Sequence, residues 1–253
     1  MPRFLRQILA VGILLMVAIA IHDVYFHLDK LRLRSDASYV LRSLGLALQN
    51  YESAYKRFPP PSMLGHSWRI RVLPYAVSCA HYENYDFSLP WDSSENMLLD
   101  RRLLHDSKWP NEDHIWGMPT EYGAALDFPQ QTRFLMIVGD HCVGTNSGGR
   151  KASDISDGLS NTIALVETAR PDIHWLHPID LNFGEMSFQL NDDPLSISAA
   201  NSEPPLVCFC DGEVYRVNRG MTADALIALL TIDGNEPIDR ETCVTKGWLT
   251  HLK

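Results

Sequence analysis

The sequence predicts an α+β fold, on three observations. An apolar N-terminal run passes into a one-sided helical stripe, two β-rich runs and a hairpin signal occupy the second half, and a short capped helix lies near the C-terminus. Helix precedes strands instead of alternating with them, which is the α+β order. The 253 residues suffice for one large domain or two small ones. Usage of 45% hydrophobic and 21% charged residues is that of a folded chain, not a disordered one. Lys and Arg number 22 against 31 Asp and Glu, and the resulting charge of −9 argues against a nucleic-acid partner. A mean hydropathy of −0.13 excludes a multi-span membrane protein.

The first element is Ile8 to Ile21, fourteen residues without a polar side chain, preceded by Arg3 and Arg6. Phe4 and Leu5 before it, with Val24, Tyr25 and Phe26 after it, extend it to the ~20 residues of a bilayer helix. His22 and Asp23 interrupt the extension and would sit near one interface. The preferred reading is a signal anchor over residues 1–27, with its N-terminus in the cytoplasm. A cleaved signal peptide is the alternative, because Ala18-Ile19-Ala20 resembles a cleavage site. A buried core helix is the third and least favoured reading, since two arginines precede a run that is apolar all round.

Residues 28–58 form the second element. Ala37, Leu41, Leu44, Leu48, Tyr51, Tyr55 and Phe58 recur at spacings of four and three, one stripe of an amphipathic helix, and Pro59-Pro60-Pro61 stops it. With no loop signal between them, anchor and stripe read as one rod. Lys30, Arg32 and Arg34 follow the span as Arg3 and Arg6 precede it, so charge alone does not orient it. Residues 59–237 read as the globular domain, and 238–253 as a C-terminal tail.

Within the domain, short helices are expected around Ile70–Tyr82 and Ser94–Leu104, and buried strands over Gln131–Gly139 and Asn161–Glu167. Leu206 to Cys210 and Glu213 to Val217 flank Asp211-Gly212, a pair suited to the type I′ turn of a tight hairpin. Thr222 is placed to cap a helix over Ala223–Leu230, and Gly234 to end it. No internal repeat is visible.

Motifs that carry chemistry fail on inspection. The stretch Gly144 to Lys151 follows a strand but has Arg150 where a phosphate loop needs lysine, and Ala152 instead of a hydroxyl. It reads as a surface loop. No G-x-S-x-G nucleophile turn occurs. His174 and His177 straddle Trp175-Leu176 before Pro178, a poor metal pair. Asp154, Asp157, Asp192 and Asp193 match no calcium loop. Cys208 and Cys210, on one strand face, read as packed thiols or a disulfide instead of zinc ligands. The pairing of Cys79, Cys142, Cys208, Cys210 and Cys243 is not set by the sequence, and five thiols would leave one over.

Several blocks together resemble a known family. Leu44-Gly45-Leu46-Ala47-Leu48-Gln49-Asn50-Tyr51 leads to Phe58-Pro59-Pro60, then His66-Ser67-Trp68-Arg69 and Leu73-Pro74-Tyr75. Tyr85-Asp86-Phe87, Pro90-Trp91-Asp92-Ser93 and Asn96 come next. Ile155-Ser156-Asp157-Gly158-Leu159-Ser160-Asn161-Thr162-Ile163, Val166-Glu167 and His177-Pro178 with Asp180-Leu181 follow, then the Asp211-Gly212 turn. Over residues 40–237 these resemble the DUF1559 family, prepilin-like proteins expanded in planctomycete bacteria and also catalogued under a solute-binding label.

The resemblance implies a pseudopilin-like architecture: a long N-terminal helix, part membrane and part amphipathic, packed on a mainly antiparallel sheet with short helices. It implies a membrane-anchored structural or interaction protein, with its domain outside the cytoplasmic membrane and its helix free to assemble laterally with similar helices. The competing expectation is an exported module binding a glycan or small solute through Trp and Tyr. The resemblance brings no enzymatic activity, so no catalytic, cofactor-binding or metal-binding residue is assigned. Its signature residues (Trp68, Arg69, Pro74, Tyr75, Trp91, Asp92, Asn96, Asp157, Gly158, Ser160, Asn161, Thr162, Glu167, Asp211 and Gly212) are expected to be structural. This chain departs from the family pattern in lacking a prepilin leader around Arg6-Gln7-Ile8. It also carries Met118-Pro119-Thr120 where the family has Cys-Pro, and Asn201 where a histidine is usual.

Overall fold

A computed structural model describes residues 3–75, 82–98, 131–170, 173–192, 194–199 and 203–252. In the first helix, side chains are described at 12, 15–25, 27–28 and from Ala37 onward. Cys79, Met118-Pro119-Thr120, Asn201 and the far end of the Ser94–Leu104 helix lie outside the described residues.

The fold is α+β. A six-stranded sheet of order β5-β3-β4-β6-β7-β8 forms its centre, from β3 (Phe134–Val138), β4 (Ile163–Glu167), β5 (Leu181–Asn182), β6 (Leu206–Phe209), β7 (Val214–Val217) and β8 (Leu249–His251). All neighbours are antiparallel except β3 and β5. A two-stranded ribbon, β1 (Ser62–Met63) with β2 (His66–Ser67), stands apart.

Both faces of the sheet are covered, which explains why its strands are apolar nearly throughout. Phe134, Met136, Leu206 and Cys208 point into one core, whereas Leu135, Ile137, Val207 and Phe209 point into the other. Strand side chains alternate, so a continuous apolar run feeds two layers at once. The first core lies under α1 (Arg3–Tyr55) and α2 (Trp68–Val72). The second lies under α3 (Ala223–Leu230) and contains Cys243 of α4 (Arg240–Thr245).

In α1 the four-and-three stripe does what its spacing requires. Ala37, Leu41, Leu44, Leu48 and Tyr51 are all buried in the first core. Tyr55, the next member, is instead 55% exposed, because the helix ends there and Lys56 turns the chain at φ 59°. Phe58 is buried from beyond the helix, its N–H donating to the Arg150 carbonyl. Gly45 faces β6: a Cβ there would stand 2.5 Å from Cys208 Sγ and 3.2 Å from Gly212 Cα. Only a residue without a side chain admits so close an approach of helix to hairpin.

Three local expectations are corrected. The Asp211-Gly212 hairpin is not a two-residue type I′ turn, since Gly212 alone has positive φ, at 84°. The Gly212 N–H donates to Phe209 O and the Phe209 N–H to Glu213 O, giving a three-residue loop closed by a left-handed glycine. Thr222 caps α3 through Ala225 N as expected, but the helix ends at Thr231, before Gly234. The stretch set apart as a tail supplies α4 and the edge strand β8, pairing Val217 with Leu249. Cys243 and Leu249 are buried, so this stretch closes the second core.

Candidate functional site

The signature residues gather at three places, each fastening loops to one another or to the elements beside them. The first is a buried ion pair. Ser67 caps α2, its Oγ accepting from Arg69 N at 3.2 Å and from Arg69 Nη1 at 3.0 Å. That turn swings the Arg69 guanidinium across β3, where Nη2 donates to Phe134 O at 2.8 Å and to Asp180 Oδ1 at 2.9 Å. The same carboxylate oxygen accepts Trp68 Nε1 at 3.1 Å and Met136 N at 2.8 Å. One oxygen thus ties α2, β3 and the loop before β5 together. Burial pushes the Asp180 carboxyl up, against the pull of the guanidinium and the three donors. Both side chains are sealed from solvent, at 0% and 2% exposed. Trp68 is fully buried, whereas Trp91 is only half-buried.

The second place is the segment 82–98. Asn96, fully buried, organises it from within: its Oδ1 accepts Asp86 N at 2.8 Å, and its Nδ2 donates to Asp86 O at 3.0 Å and Pro90 O at 2.9 Å. Two histidines then fasten it outward. His66 meets Tyr85 Oη at 2.7 Å through Nδ1 and Phe87 O at 3.1 Å through Nε2. Trp91 lies flat on His177, with centroids 4.6 Å apart and planes 17° apart, and tilts against His174 at 5.6 Å. Burial lowers the affinity of both His66 and His177 for a proton. His174, Arg69 and Arg170 depress His177 further, and Asp92 opposes them. At the neighbouring Leu73–Tyr75 turn, which contains Pro74, the Tyr75 ring meets Tyr51 and Tyr55 edge-on. Contact with the Tyr55 hydroxyl, aided by burial, raises the Tyr75 phenol to about 12.

The third place is the Asp157-Gly158 turn. Asp157 accepts Asn235 N at 3.0 Å and Gly234 N at 2.9 Å, one on each carboxylate oxygen. Asn161 donates to Asp157 O at 3.0 Å and accepts Arg240 N at 3.2 Å. Thr162 Oγ1 donates to Gly158 O at 3.1 Å, with Ser160 half-buried in the same turn. Arg240 pairs with Asp211 at 2.7 Å and lies over Phe209 and Tyr215. Glu167, fully buried, accepts Leu206 N at 2.9 Å, bracing β4 against β6. Beside this turn a shallow cleft of 290 Å³ is lined by Asp157, Asn161, Asn235, Glu236 and Asp239 among others. Its carboxylates are already engaged in part: Asp157 by the turn, and Asp239 by Thr242 N at the start of α4.

Among the described residues no group of three or more His, Cys, Asp or Glu side chains is placed to hold a metal ion. Cys142, Cys208, Cys210 and Cys243 are free, buried thiols. Burial raises Cys142 to about 12 and Cys243 to about 11, which keeps both protonated and unreactive near neutral pH. The Gly144–Lys151 loop packs against the Phe58–Pro61 segment that follows α1. A Cβ on Gly149 would overlap Phe58 O, and Arg150 donates through Nε to Cys142 O at 3.1 Å. Asp180, His66 and His177 carry much of this architecture, although sequence reasoning did not count them among the site residues. Asp180 stands 111 positions from Arg69, and no spacing rule links the two.

These three fastenings run through the blocks quoted from the sequence. Neither a curated protein nor a solved structure matches the chain. A family model does, over residues 34–187, with the description "Protein of unknown function (DUF1559)". The matched stretch is more than half of the chain and contains α1's buried stripe, Trp68-Arg69, Trp91, Asp157-Gly158 and Asp180. The chain therefore belongs to the DUF1559 family.

Proposed function

We propose that the protein is a membrane-attached, pseudopilin-like structural or interaction protein, with its globular domain outside the cytoplasmic membrane. The observation that carries this reading is the contrast along α1. Its later part is buried stripe by stripe in the first core, whereas Leu15, Met16, Val17, Ile19, Ile21, Val24, Tyr25 and Leu28 are all exposed. Leaving so many neighbouring large apolar side chains in water is unfavourable by about 25 cal/mol per Å² of apolar surface, so a lipid or protein environment is indicated. Among the described residues, no helix is long and apolar enough to cross a membrane. The side chains at 8–11 and 13–14, part of the apolar run, lie outside that description. In this reading α1 also supports lateral packing with similar helices. No residue is assigned a catalytic role; Arg69, Asn96 and Asp157 among the signature residues engage polar groups in holding loops.

Expression of the full chain in a bacterium, followed by alkaline carbonate extraction and protease treatment of spheroplasts, tests the proposal. The full chain is expected in the membrane pellet with its domain open to protease, and a chain lacking residues 1–27 in the soluble fraction. A soluble mature protein beginning near Ala20 would replace the anchor with a cleaved signal peptide. That outcome would favour an exported binding module, in which the half-buried Trp91 is a candidate contact for a ligand.

A further inference from the structure

The segment 82–98 is organised internally by Asn96 and packs on the first core through Tyr82, Tyr85, Phe87, Trp91 and Met97, and a histidine buried to 3% exposure meets two of these. His66 makes four contacts with this segment. They are the two hydrogen bonds to Tyr85 Oη and Phe87 O, and edge-on packing of its ring against Tyr85 at 5.5 Å and Phe87 at 5.2 Å. The partners define its protonation. A carbonyl can only accept, so Nε2 carries the proton that meets Phe87 O, and neutral Nδ1 accepts from the Tyr85 hydroxyl.

We propose that His66 is a pH-sensitive pin, holding the segment 82–98 on the domain while neutral and releasing it when protonated. A second proton must enter at Nδ1, where it turns an acceptor into a donor, so that the Tyr85 hydroxyl must rotate to accept and its own hydrogen loses its partner. Among the described residues no carboxylate faces the new charge, and the Phe87 carbonyl is the group that favours it. From α2, Arg71 faces the site with its guanidinium over the Phe87 ring, 5.0 Å from its centroid, and repels it. From the segment itself come Tyr85, a neutral phenol, and Asp86, whose Oδ1 is taken by Ser88 N at 2.8 Å and Ser88 Oγ at 2.6 Å. From β1, the residue paired with His66 is Met63, which brings no charge. A buried imidazolium with a cation beside it is relieved by hydration, and the cover that must lift to admit water is the piece bearing Tyr85 and Phe87. The Trp91–His177 stack is another aromatic fastening of the segment, and the experiment must separate it from the pin.

Hydroxyl-radical footprinting of the purified full chain across pH 8 to 5 provides the test, read by mass spectrometry at Tyr85 and Phe87. Tyr215, buried in the other core, is the internal reference. Modification of Tyr85 and Phe87 is expected to rise several-fold on acidification while Tyr215 stays level. In His66→Gln, whose amide can donate to Phe87 O and accept from Tyr85 without titrating, the rise should vanish. A level Tyr85 in the wild-type chain overturns the proposal, and so does an undiminished rise in His66→Gln, which would assign the effect to His177. Should that variant not fold, the wild-type chain decides alone. The footprinting midpoint must coincide with the His66 imidazole titration followed by NMR, and a mismatch rejects the pin.

Discussion

Arg69 and Asp180 are joined at 2.9 Å in a site where neither side chain reaches solvent, and the Asp180 oxygen that takes the guanidinium also takes Trp68 and Met136. The pair closes the first core at the point where α2, β3 and the β5 loop meet. Its dependence on both partners leads to the first prediction.

Asp180→Leu should destabilise the domain by about 3–5 kcal/mol, because it strands a buried guanidinium without its counter-charge. The double variant Arg69→Met, Asp180→Leu should cost much less than the two single changes summed. Urea denaturation of the four chains, analysed as a double-mutant cycle, measures the coupling.

Gly45→Ala should destabilise by about 1–3 kcal/mol through overpacking, although alanine is the better helix former by about 1 kcal/mol. The contact responsible is Cys208 Sγ, 2.5 Å from where the methyl would stand. Gly45→Ala combined with Cys208→Ala should therefore recover part of the loss, as read by thermal melting.

Asp157→Ala should cost about 1.5–3 kcal/mol, the worth of hydrogen bonds to a charged acceptor, since it frees Gly234 N and Asn235 N together. Hydrogen exchange should speed at residues 233–235 more than in β4. Equal acceleration of both would show that the turn is not held locally.

Stability should fall as the pH drops below about 6.5, the ordinary histidine value. His66 and His177 hold their protons more weakly in the folded chain than in the unfolded one, so the unfolded chain takes up protons first on acidification. Their contribution is complete above the unfolded value and is lost as the pH falls toward the lower folded ones. Melting temperatures between pH 8 and 5 should show this slope, and His66→Gln should flatten it.

The stripe from Ala37 to Tyr51, the β3, β4 and β6–β7 runs, and the capped α3 could be read from the chain because each is a local periodicity. A helix or strand that buries one face must repeat its apolar residues at 3.6 or 2 positions, and three alanine- or leucine-spaced turns suffice to show it. The signature blocks were equally legible, and placed the chain in its family. Their roles were not. Trp68 and Trp91 look alike in sequence, yet one is sealed over the Asp180 carboxylate and the other lies half-exposed on His177.

What the sequence by itself determined is the α+β order, the buried stripe and the family. Tertiary structure decided the rest: that the last residues return as β8, that Tyr55 stays in solvent, and that Arg69 finds Asp180 and His66 finds Tyr85. Local geometry is set by neighbours a few residues away, whose spacing the chain states directly. A buried polar group takes whichever partner the packed layers bring within 3 Å. Those partners lie 19 residues off for His66 and 111 for Arg69, so no local pattern records them.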